Sequence, residues 1–281
     1  MTLDLWYTEK NDHGYGITMK VSKTLYQGKS EFQSIDVLET DAFGKLLLLD
    51  GLVMTTEKDE FVYHEMISHI PMLTHKNPEN VLVIGGGDGG TIREVLKHPS
   101  VKKAVLCEID GDVIEVCCKY FPTIAGKLDD PRVDIQVRDG IEYIAQFKNE
   151  FDVILIDSTD PMGPGEGLFT KEFYTNVKEA LREGGIMAAQ SESPVANKRE
   201  MMLMYPLLRS VFPIVKTFTA PIVTYPGGYW SWCFCSADVE PGSHYNEEVA
   251  IELEKETKYY NRGIHSSAFV LPNFVKKLVG E

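Results

Sequence analysis

From about residue 78 the chain repeats one rhythm: a short apolar run, a turn, then an amphipathic stretch. Val81-Leu82-Val83-Ile84 leads into Gly85-Gly86-Gly87-Asp88-Gly89-Gly90 and a helical pattern through Leu96. Runs at 104–110, 133–137, 151–157 and 185–190 read as four more strands, with helices through Tyr120, at 141–147 and at 170–182 between them. Such apolar runs alternating with helices predict a mostly parallel sheet covered on both faces. Segments 214–225 and 229–237 read as a closing strand pair.

The chain before residue 60 reads differently. Ser34–Thr40 alternates polar and apolar, Asp41-Ala42-Phe43-Gly44 makes a turn, and Lys45–Gly51 follows. That pattern predicts a small antiparallel β-domain of short strands. Residues 60–75 read as a linking helix with one apolar face. The expected division is an N-terminal β-strand domain over 1–60 and a nucleoside-binding α/β catalytic domain over 61–281.

Composition narrows the class. The 281 residues suffice for a large domain plus a small one. No apolar run is long enough to span a bilayer, and the first ten residues lack the pattern of a secretory signal. The five cysteines, Cys107, Cys117, Cys118, Cys233 and Cys235, have no zinc-site spacing; they read as reduced thiols in a cytoplasmic protein. A formal net charge of -14 argues against nucleic acid and suits cationic substrates.

In an open α/β sheet, ligands bind beyond the carboxyl ends of the strands. Those ends are acidic here: Asp88, Glu108, Asp110, Asp139, Asp157 and Asp160. The glycine loop lets backbone approach a ligand, and Glu108, 23 residues after Gly85, falls where a carboxylate meets ribose hydroxyls. Asp88 inside the loop disfavours a pyrophosphate, by about 4 kcal/mol for unit charges ~4 Å apart at a surface-like dielectric. A nucleoside bearing a cation, such as an S-adenosyl sulfonium, fits better, and Asp139-Gly140 suits the adenine edge. Asp157 and Asp160 close the fourth strand of the series and, with Asp88, suit a cationic amine.

These stretches, with Gln33, Tyr63-His64-Glu65-Met66, Asp157-Ser158-Thr159-Asp160-Pro161-Met162-Gly163-Pro164 and Tyr225-Pro226-Gly227-Gly228, resemble the polyamine aminopropyltransferases along nearly the whole chain. The resemblance implies a methyltransferase-like Rossmann-type sheet with a small N-terminal antiparallel β-domain. It implies aminopropyl transfer from decarboxylated S-adenosylmethionine to putrescine, giving spermidine and methylthioadenosine. It also implies a homodimer or homotetramer, no metal, and no cofactor beyond the co-substrate. By position it assigns Gln33, Asp88, Glu108, Asp139, Gly140 and Pro164 to the donor. Tyr63, His64, Asp88, Asp157, Asp160 and Tyr225 fall to the polyamine, with Asp157 catalytic. Cadaverine, agmatine or spermidine as acceptor, and a methyltransferase sharing the nucleoside site, stay open at this point.

Overall fold

Four consecutive leucines, Leu46 to Leu49, explain how the two regions join. In the computed structural model, which describes residues 4–10, 14–159, 163–243 and 245–281, they form most of one strand whose two faces serve two cores. Leu47 and Leu49 face the main core with Ile35 and Val37, whereas Leu46 and Leu48 pack with Met19, Leu38 and Val53. The N-terminal sheet is a sequential antiparallel meander: β1 (Leu5–Lys10), β2 (Gly16–Lys29), β3 (Ser34–Thr40), β4 (Gly44–Leu49) and β5 (Leu52–Thr56). β2 is longer than the short strands expected, at 14 residues. Only Met19 in it is buried and its pairing with β3 slips register twice, so its sequence carries little alternation.

α1 (Glu60–Thr74) follows directly. The expected single apolar face is not what the structure holds, because every residue of α1 except Phe61 is buried. The helix lies under both regions, and its polar residues are paired internally. Glu65, for example, accepts the backbone N–H groups of Lys258, Tyr259 and Tyr260. A buried carboxylate needs such donors to offset its lost hydration.

The second region runs β6 (Asn80–Gly85), α2 (Gly90–Val95), β7 (Lys103–Glu108), α3 (Gly111–Tyr120), α4 (Pro122–Ala125), β8 (Val133–Val137) and α5 (Gly140–Ile144). It continues through β9 (Phe151–Asp157), α6 (Lys171–Ala180), β10 (Leu181–Gln190), α7 (Lys198–Val211), β11 (Ile214–Ala220) and β12 (Trp230–Ser236), then α8 (Glu247–Leu253), α9 (Arg262–Ser267) and α10 (Asn273–Val279). The sheet order is β11-β12-β10-β9-β6-β7-β8, with β12 antiparallel to both neighbours and every other pair parallel. This is the methyltransferase-like Rossmann-type sheet with an antiparallel N-terminal sheet before it.

The period of two divides the strands between two cores. Val81, Val83, Leu106, Val153 and Leu155 face α1, whereas Leu82, Ile84, Val105, Ile154 and Ile156 face α6 and α7. The chain order reverses between β6 and β9, which places a crevice at their carboxyl ends.

Candidate active site

The crevice begins where Gly85, the last residue of β6, pairs in register with Asp157, the last of β9. The glycine loop thus lies directly against Asp157. Gly85 and Gly86 adopt φ of +79° and +70°, and a Cβ on them would meet the Asp157 carbonyl oxygen at 2.2 Å and its Oδ2 at 2.8 Å. Only glycine combines that backbone with that proximity. The cleft spans about 1290 Å³, its open mouth included.

One side carries the groups expected to meet a nucleoside. Glu108 accepts the Gly87 N–H at 3.2 Å and the Asp110 N–H at 2.9 Å. Burial pushes its carboxyl up to about 7, against the lowering pull of those two donors. Asp139 caps α5 by accepting the Ile141 N–H at 2.7 Å, and Gly140 sits so close to Ile84 that a Cβ would lie 2.5 Å from its Cγ2. Gln33 reaches the same cleft from the N-terminal sheet, but its amide donates to Asp110 Oδ2 at 2.9 Å. Ser30 bonds the same oxygen at 2.6 Å, so Asp110 ties the two regions together.

The other side is acidic and aromatic. Asp157 Oδ2 accepts the Thr91 hydroxyl at 2.6 Å, and the Tyr63 hydroxyl faces this carboxylate. Burial and the facing charge of Asp88 raise the Asp157 carboxyl above its usual range, partly offset by His64, Thr91 and Tyr63. Asp88 accepts the Gly90 N–H at 2.8 Å and faces His64 Nε2 at 3.3 Å. Although burial opposes it, the His64 charge holds Asp88 below the usual carboxylate range. Two carboxylates of unlike proton affinity therefore share one cleft, an arrangement that can take up a proton while keeping a charge for a cation.

Tyr63 and Tyr225 line this side with ring centroids 5.8 Å apart, and the Tyr225 hydroxyl donates to the Met54 carbonyl at 2.5 Å. Trp230 also lines the cleft, edge-on to Tyr225, whereas Trp232 is core, stacked on Phe218. Asp160 lies outside the described residues, as does the side chain of Pro164, whose backbone belongs to the 3-10 helical segment Gly163–Phe169. Sequence reasoning missed Thr91, which bonds Asp157, and Glu9, which lines the cleft from β1 and accepts the Val53 N–H at 2.6 Å. It also missed Glu60 and Arg93, which meet behind His64. A Glu60-His64 spacing of four within a helix was the one available signal.

A switch-point glycine loop beside paired strand-end carboxylates marks a Rossmann-type enzyme. Known proteins carry the same plan. Residues 60–247 match the model of the spermine/spermidine synthase domain, and residues 5–57 that of the spermidine synthase tetramerisation domain. A polyamine aminopropyltransferase of Bacillus subtilis is 53% identical over 98% of this chain and 99% of its own. A crystal structure of spermidine synthase in complex with the transition state analogue AdoDATO superposes with a TM-score of 0.96 at 48% identity, covering 98% of this chain and 95% of that one. Spermidine synthase from Thermotoga maritima gives 0.93 at 47% identity, over 98% and 94%. The chain belongs to the spermine/spermidine synthase family, and it is a polyamine aminopropyltransferase.

Among the described residues, no helix is long and apolar enough to cross a membrane.

Proposed function

We propose that the enzyme transfers the aminopropyl group of decarboxylated S-adenosylmethionine to putrescine, giving spermidine and methylthioadenosine. The observation that carries this is the placing of two carboxylates at the switch point, Asp157 paired in register with Gly85 of the glycine loop and Asp88 within that loop against His64. In the proposed complex Glu108 accepts from the ribose, and Asp139, Gly140, Gln33 and Pro164 surround the remainder of the nucleoside. Asp88 faces the donor's ammonium. Tyr63, His64, Asp160 and Tyr225 belong to the acceptor side.

The amine arrives protonated and without a lone pair. Freeing it at pH 7 costs about 4–5 kcal/mol for a lysine-like pKa. A carboxylate of ordinary acidity is a poor acceptor for that proton, and burial makes Asp157 a better one. The sulfonium beside the reacting carbon opposes a second cation there and so favours the neutral amine. The amine lone pair then forms the new C–N bond. The C–S bonding pair returns to sulfur, leaving neutral methylthioadenosine, and Asp157 takes the amine proton. The sulfonium supplies the leaving group, so the reaction as proposed draws on no metal and no cofactor.

Acceptor choice rests on the far end of the amine. Glu9 supplies a carboxylate from the N-terminal-sheet wall of the cleft, suited to a second ammonium. The reading includes assembly into a dimer or tetramer, for which the match of residues 5–57 to a tetramerisation domain is the support.

Mass analysis of products from a panel of amines with each donor is the direct test. Putrescine should gain an aminopropyl group with the highest kcat/KM; a methyl gain from S-adenosylmethionine would sink the proposal. For Asp157→Asn we expect kcat to fall by about 10²–10⁴, the usual worth of a positioned base, with methylthioadenosine affinity kept. Near-normal turnover would remove Asp157 from that role.

A further inference from the structure

A line of charged side chains runs from α2 through α1 to the edge of the carboxylate pair. Arg93 grips Glu60 with both terminal nitrogens, Nη1 to Oε1 at 3.1 Å and Nη2 to Oε2 at 2.7 Å. Its Nε donates to Glu94 at 2.7 Å, and Nη1 also reaches the Thr123 carbonyl at 3.1 Å, so every edge of the guanidinium is used. Glu60 Oε2 lies 2.6 Å from His64 Nδ1, and His64 Nε2 lies 3.3 Å from Asp88 Oδ2. The His64 side chain is 3% exposed. It packs on α2 where a Cβ on Gly90 would come within 2.3 Å of its ring, so the ring has one place to sit.

A neutral imidazole has one N–H. Set between two carboxylates, it would aim a lone pair at one of them. Both contacts are favourable only when both ring nitrogens carry protons.

We propose that Glu60 and Arg93 are positioning residues for aminopropyl transfer, holding His64 as an imidazolium against Asp88 so that Asp88 keeps its charge beside Asp157. The inference rests on the reaction proposed above and adds to it the origin of the site's charge pattern. The groups facing His64 are Glu60 and Tyr63 from α1, Asp88 from the glycine loop, Asp157 from β9 and, through Glu60, Arg93 from α2. Burial works against the His64 charge, yet Asp88 and Glu60 together hold the imidazolium well above the usual histidine range. Arg93 in turn helps keep Glu60 ionised, so that its charge is available to His64. Without Glu60 the imidazole loses its proton more readily. Asp88 and Asp157 then face each other without the imidazolium charge beside Asp88, and like charges drive a proton onto one of them. A protonated Asp157 cannot accept the amine proton.

Nitrogen-15 NMR of the imidazole rings, with His64→Gln to assign the signal, tests this in the otherwise unaltered enzyme. Both His64 nitrogens should report protonation up to pH 8; a neutral ring at pH 7.5 overturns the proposal. The second readout is the pH profile of kcat/KM for the amine. In Glu60→Gln its acid limb should move up by about one pH unit, the lower end of the effect of a lost neighbouring charge. At a pH below that limb, kcat/KM then falls about tenfold while methylthioadenosine affinity is kept. An unmoved limb in the folded variant shows that Glu60 is only a structural brace. If Glu60→Gln fails to fold, the NMR result on the native side chains decides. If the enzyme transfers no aminopropyl group to any amine, the proposed reaction fails, and the protonation of His64 is still read independently.

Discussion

Glu108 holds its charge conditionally. The carboxyl sits at about 7 because burial outweighs two backbone donors. In the proposed complex ribose hydroxyls donate to Glu108, best to its ionised form, so nucleoside binding and proton release would be linked. Methylthioadenosine carries no sulfonium and isolates this effect from Asp88 and Asp157. Its Kd should be flat above pH 8 and weaken below about pH 7, approaching tenfold per pH unit. Glu108→Gln should bind more weakly at every pH and lose the dependence. Calorimetric titration at pH 6 and 8 checks this, and equal native Kd values at the two would refute it. The place of Glu108 in the cleft was legible, as a strand-end acid after a glycine loop. Thr91 was not, because its bond to Asp157 joins residues 66 apart in sequence. Gln33 was assigned to the donor by the resemblance alone; it lines the cleft, and its hydrogen bond to Asp110 joins two regions whose packing no local pattern encodes.

At the scale of elements, the strand-end glycines set how closely β6 and β9 approach. Gly184 makes a useful comparison, because it adopts φ of +74° with nothing within 4 Å of its missing Cβ. Gly184→Ala should therefore cost only backbone strain, roughly 1 kcal/mol. Gly85→Ala adds a contact of 2.2 Å with the Asp157 carbonyl, where backbone meets backbone. It should cost at least about 2–3 kcal/mol and lower kcat, because Asp157 moves with its strand. Denaturant melts of the two variants separate strain from clash; equal losses would mean that β9 yields freely. The buried strands β6, β7 and β9 were readable because their apolar runs end in glycine or acid. α7 and the C-terminal helices α8, α9 and α10 went unread. α7 carries Pro206 inside and exposes Met202 and Leu203, which blurs its periodicity, and the last three helices are seven residues or fewer. α1 was placed correctly but misjudged as one-faced. Glu60, His64, Glu65 and His69 look like a polar stripe until their partners are seen to be buried with them.

The whole molecule joins a sheet of modest core to a much larger one, and the junction is the cleft. β1 stands at the free edge of the N-terminal sheet with Leu5 53% and Trp6 54% exposed, while Glu9, on the same strand, lines the cleft. An exposed edge strand bearing large apolar side chains is a surface that pairs with another chain unless it is covered. Residues 5–57, which include this strand, match the spermidine synthase tetramerisation domain, so a second copy is the expected cover. In the proposed complex, assembly and acceptor binding would then share one strand. Trp6→Glu places a charge in that surface and should shift the particle mass, measured by light scattering, to a smaller species. Residues 60–281 hold the groups assigned to the nucleoside except Gln33, so methylthioadenosine affinity should change by less than about threefold, as expected of a distant substitution with no shared partner. The KM for the amine should rise, because Glu9, assigned to the acceptor's far ammonium in the proposed complex, lies on the same strand. A variant with native mass would show that β1 is not the assembly surface. A smaller particle with an unchanged amine KM would show that β1 keeps Glu9 in place unaided.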